Sequence, residues 1–314
     1  MAAQKPQRKT RRQTFVDKVR PFAYLSPALI TIAVLSLVPA LWTLYVAFTN
    51  YGLYHMRDYH WIGLGNFVEI LTGPTRKVFL PVFAWTLAFA IGTTLINYTL
   101  GLVLALLLNN EHMRESRIYR TLLIVPWALP STITILSWTG LLNKSFGAIN
   151  GMLAAISVSP VPWLTDATWA KISMLLVNLW LGFPFMMTLS LGGLQAIPKE
   201  LYEAADIDGA GSWPRFRYVT FPQLMSITLP LLIGSFSFNF NNFGIVYLLT
   251  GGGPPRLDTA LAGTTDNLAT MTYNYTMVYQ RFGLAAAMGI LMFLLVGTLS
   301  YVQMRMTRAF EEVD

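Results

Sequence analysis

Residues 203–222 read Glu203-Ala204-Ala205-Asp206-Ile207-Asp208-Gly209-Ala210-Gly211-Ser212-Trp213-Pro214-Arg215-Phe216-Arg217-Tyr218-Val219-Thr220-Phe221-Pro222, a polar island between two long apolar runs. Pro198, just upstream, suits a first helical turn, so Lys199 to Ile207 is read as a short helix. Leu201, Ala204, Ala205 and Asp208 fall near one side of it. The small alanines let that side fit a cleft closely, and Glu203 can pair with a basic group there. Gly209 and Gly211 end the helix and allow a sharp reversal. Val219-Thr220-Phe221-Pro222 then leads into the next apolar run. Taken alone, the stretch is either an Ala-rich surface helix of no special role or a lever on which another protein pushes.

The surroundings of the island are those of a membrane protein. Of the 314 residues, 54% are hydrophobic and 12% charged, and the mean hydropathy is +0.50. A soluble domain carries about 25% charged residues. The chain has no cysteine, which excludes disulfides and thiolate metal sites. His55, His60 and His112 are scattered without metal-ligand spacing. The net charge of +7 collects at segment ends, which fits an anionic lipid leaflet rather than nucleic acid.

Six segments are apolar enough to cross a bilayer: 22–49, 82–109, 119–141, 168–192, 223–249 and 282–304. Backbone in lipid must satisfy its own hydrogen bonds, so the spans are helices and the chain is an all-α polytopic membrane protein. Pro130, Pro184 and Pro230 are expected to kink them. The first run follows a basic stretch, has no small-residue cleavage site, and reads as a retained span. With the N-terminus inside, segments 1–20, 110–120, 193–222 and 305–314 hold 15 of the 22 basic residues, which places both termini in the cytoplasm. Trp61, Trp163 and Tyr279, in the outer loops, are expected at the membrane interface.

Several function classes are disfavoured. All 15 carboxylates fall outside the six segments, whereas ion-coupled carriers and acidic-filter channels place them inside. No cluster of His, Asp or Glu marks a membrane enzyme. The phosphate-loop pattern is missing, and Gly251-Gly252-Gly253-Pro254 reads as a tight outer turn. Any power for transport must enter through a partner.

A second stretch, Gly234-Ser235-Phe236-Ser237-Phe238-Asn239-Phe240-Asn241-Asn242-Phe243, lies in the fifth segment. Ser235, Phe238, Asn239 and Asn242 are spaced to share one helix face. Amides there must meet protein or water. Amides beside aromatic rings suit a neutral sugar, since amides bond hydroxyls in either sense and rings cover the apolar sugar face. In the fourth segment Asn178, Leu181 and Gly182 join them, with the Asn178–Gly182 spacing placing an amide above a gap. Plain helix–helix packing through small and polar residues is the competing reading, and residue chemistry leaves both open.

The spacing Glu203-Ala204-Ala205, three residues, Gly209, nine residues, Val219-x-Phe221-Pro222 is similar to the EAA loop of ABC importer permeases, which ends in Ile-x-Leu-Pro; Val219 and Phe221 depart conservatively. More broadly, residues 23–308 resemble the F-type permease subunit of maltose/maltodextrin importers. The blocks that carry this are Asn178-Leu179-Trp180-Leu181-Gly182-Phe183-Pro184, Leu194-Gln195-Ala196-Ile197-Pro198, Phe238 to Phe243, Leu249-Thr250-Gly251-Gly252-Gly253-Pro254 and Phe282-Gly283-Leu284-Ala285-Ala286-Ala287.

The resemblance implies an ABC importer permease fold of six spans. The domains would be a basic cytoplasmic tail at 1–20, the permease domain at 21–308 with its coupling loop at 193–222, and a cytoplasmic tail at 309–314. It implies that Glu203, Ala204, Ala205, Asp208 and Gly209 dock on an ATPase. It implies a sugar site of Asn178, Leu181, Gly182, Ser235, Phe238, Asn239 and Asn242, with Trp127, where the family also carries Tyr, from the preceding span. The implied partners are a second, G-type permease, an ATPase dimer, an extracytoplasmic sugar-binding protein and membrane lipid, with no nucleic acid. No cofactor would be bound by this chain, and ATP and Mg would be used by the ATPase. The implied substrate is maltose, a maltodextrin or a related α-glucoside, with trehalose, sucrose, another sugar or glycerol phosphate as alternatives. The implied location is the inner (cytoplasmic) membrane.

Overall fold

The computed structural model describes residues 11–110 and 113–306. The C-terminal tail 309–314 and the first ten residues lie outside them. The elements in chain order are α1 (Arg11–Ile32), α2 (Val38–Val46), α3 (Gly65–Leu71), α4 (Arg76–Leu108), α5 (Ser116–Ala128), α6 (Ser131–Leu141), α7 (Ala148–Ala155), α8 (Ala167–Ala196), α9 (Lys199–Ile207), α10 (Ser212–Arg215), α11 (Phe221–Phe240), α12 (Phe243–Leu249), α13 (Leu268–Met277) and α14 (Phe282–Met306). Extended pairing among the described residues is confined to two isolated bridges, Thr49 with Trp61 and Pro255 with Gly263. The fold is all-helical.

Among the described residues, five helical stretches are long and apolar enough to cross a membrane: Phe22–Val46, Arg76–Leu108, Ala167–Ala196, Ser212–Phe240 and Phe282–Val302. A sixth span arises only if α5 and α6 are counted as one, and they meet at 90°. The kink expected within 119–141 is therefore a full break. Proline disfavours helical geometry in the residue before it, and Leu129 is extended at ψ 144°. Pro130 then serves as the N-cap of α6.

Two widened π turns have a common cause. Ala33–Leu37 precedes Pro39, and Phe216–Thr220 precedes Pro222. Each proline lacks an N–H and crowds the carbonyl one turn back. A π turn shifts that carbonyl away and keeps the helix running. Thus α1 and α2 form one span, and α10 runs through the π turn into α11.

The fifth expected span, 223–249, also differs. It ends at Phe240 and restarts as α12 at Phe243. Asn239 Nδ2 and Asn241 Nδ2 donate to the carbonyls of Ser235 and Ser237, each at 3.0 Å. Such side-chain bonds compete with the helical ladder. Asn242 caps the new helix, its Oδ1 accepting from Ile245 N–H at 3.2 Å. Asn267 Nδ2 donates to the freed Asn242 carbonyl at 2.8 Å.

The long helices α4 and α8 form the spine. A Cβ on Gly101 would lie 2.6 Å from the Met187 amide nitrogen, so glycine there permits the close approach. One cluster, built on Tyr98, Leu102, Met186, Leu191, Leu194 and Leu224, fills the end of the spine nearest α9. A second joins Phe89, Ile135, Met174, Val177, Ile245 and Leu249. The largest packs Val46, Ile70, Phe79, Phe240, Met271, Tyr275 and Leu284 at the opposite end. The run from Phe22 to Val46 leaves most of its apolar surface exposed, as a lipid-facing helix does.

The 250–267 connection is an ordered knot. Gly251 and Gly252 take φ of +59° and +83°, as the tight turn requires. Thr250 and Thr265 hydroxyls meet at 2.8 Å, and Trp85 Nε1 on α4 donates to the Thr265 carbonyl at 3.2 Å. Asp266 is buried, accepting from Gly263 N–H and the Thr270 hydroxyl, both at 2.7 Å.

Candidate functional site

Helices α4, α5, α6, α8, α11 and α12 line a cavity of about 680 Å³. Trp127, Asn178, Leu181, Gly182, Ser235, Phe238, Asn239 and Asn242 all line it, and no lining side chain is charged. Phe238 is 72% exposed and Trp127 57%. The Trp127 ring lies 6.2 Å from that of Phe185, tilted by 40°. These faces stay uncovered by protein, although burying a ring is strongly favourable in water.

The amides are arranged differently from the shared helix face read in the sequence. Asn178 and Asn239 are 5% and 3% exposed. Asn97 Nδ2 donates to Asn178 Oδ1 at 3.0 Å, and Asn178 Nδ2 donates to Asn239 Oδ1 at 2.9 Å. Asn239 Nδ2 closes the relay on the Ser235 carbonyl at 3.0 Å, with the Ser235 hydroxyl at 3.4 Å. Three helices are thereby joined by one line of hydrogen bonds. Asn242, expected on the face of Ser235 and Asn239, reaches the cavity from the cap of α12 because the helix has already ended. Gly182 lines the cavity and is half-buried, but the gap on its Cβ side is occupied by protein. The side chain of Asn97 fills it, and a Cβ on Gly182 would overlap that amide.

Three polar lining residues escaped the sequence reading. Asn97 is a lone amide in an otherwise apolar run, which is itself a signal in a span. Ser131 and Thr132 arrive through the α5–α6 break, which turns the exposed start of α6 toward the cavity.

The polar island forms the expected helix, Lys199–Ile207, followed by Gly209 at φ +72°. One face packs on the chain. Ala205 is buried, Tyr202 and Thr220 hydroxyls lie 3.2 Å apart, and Arg215 Nη1 pairs with Asp206 Oδ1 at 2.7 Å. Glu203, Ala204 and Asp208 are exposed, and Ile207 is 86% exposed. Of the side expected to enter a cleft, Ala205 instead faces inward, and Asp208 is the C-cap.

A family model described as "Binding-protein-dependent transport system inner membrane component" matches residues 97–308. The chain is 40% identical over 305 residues to the galactooligosaccharides transport system permease protein GanP of Bacillus subtilis, covering 96% of this chain and 73% of that one. It is 38% identical over 311 residues to the maltodextrin transport system permease protein MdxF of the same organism, covering 95% and 71%. Identity to the maltose/maltodextrin transport system permease protein MalF of Escherichia coli is 46% over 251 residues, covering 78% of this chain and 49% of MalF. A crystal structure of a bacterial ABC transporter that imports the acidic polysaccharide alginate contains a chain of the same fold, with TM-score 0.80, 22% identity, and coverage of 96% and 100%. The chain belongs to the binding-protein-dependent transport system inner membrane components, and is the multi-pass permease subunit of an ABC sugar importer, not itself an ATPase.

Proposed function

We propose that this permease forms half of a translocation pathway for maltose, maltodextrins or a related α-glucoside, working by alternating access. The observation that carries the reading is the uncharged cavity in which the faces of Trp127 and Phe238 stand open beside the amide relay. A sugar ring offers an apolar face to such aromatics and a rim of hydroxyls to amides and to Ser131 and Thr132. An acidic polysaccharide or a phosphorylated solute would call for Arg or Lys in the lining, which has none. The names of MdxF and MalF agree with an α-glucan.

The remaining machinery belongs to partners: a second permease completing the pathway, an ATPase dimer using ATP and Mg, and an extracytoplasmic binding protein delivering sugar. A related alginate transporter has been crystallised in complex with a sugar-bound periplasmic protein. The exposed Glu203, Ala204, Asp208 and Ile207 would meet the ATPase, while Tyr202 and Asp206 transmit its movement to α10 and α11. Both termini would lie in the cytoplasm, on the side of α9.

A second reading, galacto-oligosaccharides, is favoured by the similarity to GanP. The test is uptake of radiolabelled maltotriose by the complex in proteoliposomes, with unlabelled maltose, galacto-oligosaccharide and alginate oligosaccharide as competitors. Competition by maltose alone supports the first reading. Failure of maltotriose to enter, with radiolabelled galacto-oligosaccharide entering in a parallel assay, replaces it with the second.

A further inference from the structure

We infer that Asn97 on α4 is a positioning residue for sugar recognition, acting through Asn178; this rests on the reading of the cavity as the sugar site. Asn97 is 3% exposed in the middle of a long apolar helix. An amide there is costly unless something uses it.

The geometry says what uses it. Asn97 Nδ2 lies 3.0 Å from Asn178 Oδ1, and glycine at 182 is what leaves room for the amide. The relay can run in only one direction. Its far end is the Ser235 carbonyl, 3.0 Å from Asn239 Nδ2, and a carbonyl can only accept. Asn239 must therefore turn its oxygen to Asn178, and Asn178 must turn its oxygen to Asn97. Asn97 supplies the donor that holds Asn178 in this sense. Remove it and the Asn178 oxygen loses its partner, so that only the bond to Asn239 still holds the amide against turning toward the cavity it lines.

The position carries a cost that folding does not repay. Asn97 Oδ1 is buried and has no partner. An apolar residue of similar size would remove this orphan acceptor and create another at Asn178 Oδ1, so the two changes in stability offset. The amide is retained for what it does to Asn178.

The experiment uses Asn97→Leu, and Asn97→Ser in case leucine prevents assembly, in the complete transporter in proteoliposomes. Maltotriose uptake and the thermal midpoint of the purified complex are measured. The expected result is a KM raised about fivefold or more, a maximal rate within about twofold of wild type, and an unchanged thermal midpoint. Serine gives the same KM, because its hydroxyl is too short to reach Asn178. Unchanged KM in both variants, or a lower maximal rate and midpoint with KM preserved, overturns the inference. Phe238→Ala separates this from failure of the site itself. If Phe238→Ala raises KM and Asn97→Leu does not, the cavity reads sugar and Asn97 is mere packing. If neither changes KM, the cavity is not the sugar site and both readings fall.

Discussion

Truncating Asn239 to alanine tests whether the amide relay, rather than the cavity's shape alone, recognises sugar. Asn239 holds two links, accepting from Asn178 Nδ2 at 2.9 Å and donating to the Ser235 carbonyl at 3.0 Å. Alanine removes both and leaves Asn178 Nδ2 without its acceptor at a residue only 5% exposed. A buried donor left unpaired costs about 1–3 kcal/mol. The lower end applies here, because the shortened side chain opens onto the cavity and lets water reach Asn178. The Ser235 carbonyl adds little, since it keeps its helical partner. That cost falls on folding; on binding, the same truncation takes from the lining an amide that a sugar hydroxyl would bond, a net loss of about 1 kcal/mol, which is about fivefold in an equilibrium constant. In proteoliposomes containing the complete transporter, Asn239→Ala should raise the KM for maltotriose about fivefold, with the maximal rate much less affected. Asn241→Ala is the matched control. Asn241 makes the same kind of bond, to the Ser237 carbonyl at 3.0 Å, but is exposed and outside the cavity lining. Equal effects of the two variants, or none from either, would refute the reasoning.

Two further outcomes are expected. Glu203→Lys should cut uptake at least about tenfold while leaving sugar binding intact, since like charges brought together across an interface cost several kcal/mol; normal ATP-driven uptake in that variant would remove α9 from the coupling path. For pH, burial pushes the Asp266 carboxyl above its ordinary value, and the Gly263 N–H and Thr270 hydroxyl only partly restore it. A raised folded pKa means the folded state takes up this proton first, so Asp266 becomes less costly as pH falls through that value toward the unfolded one. Glu69 has the opposite sign: burial raises it, but the bond and charge of Arg281 at 2.8 Å, with Thr75, hold it below its ordinary value. Its contribution is present above the unfolded pKa and fades as pH drops through the folded one. Thermal midpoints of wild type and Asp266→Asn should therefore shift in favour of wild type on acidification, and a constant gap between them would contradict the assignment.

How much of this was legible in the sequence depends on how local the deciding forces are. The helix Lys199–Ile207 was readable to the residue, because Pro198 and Gly209 set its ends through their own backbone preferences. The spans were readable from composition, since hydropathy averages over a segment and tolerates errors at its ends. That same averaging concealed the break between α5 and α6, and the one at 241–242. A proline or an asparagine run lowers the local cost of breaking a helix, but breaking it becomes favourable only where the freed groups find partners. At Asn242 that partner is Asn267, 25 positions away in sequence, and no local pattern announces it. Asn97 was missed for the related reason that its meaning lies in Gly182 and Asn178 on another helix. The polar stretch 235–242 drew attention as a recognition face, and its polarity had a second consequence. Amides that bond their own helix's carbonyls end that helix, and its ending is what swings Asn242 and α12 round to close the cavity. The features that make the segment suited to sugar are thus the ones that make its backbone unreadable as a single helix.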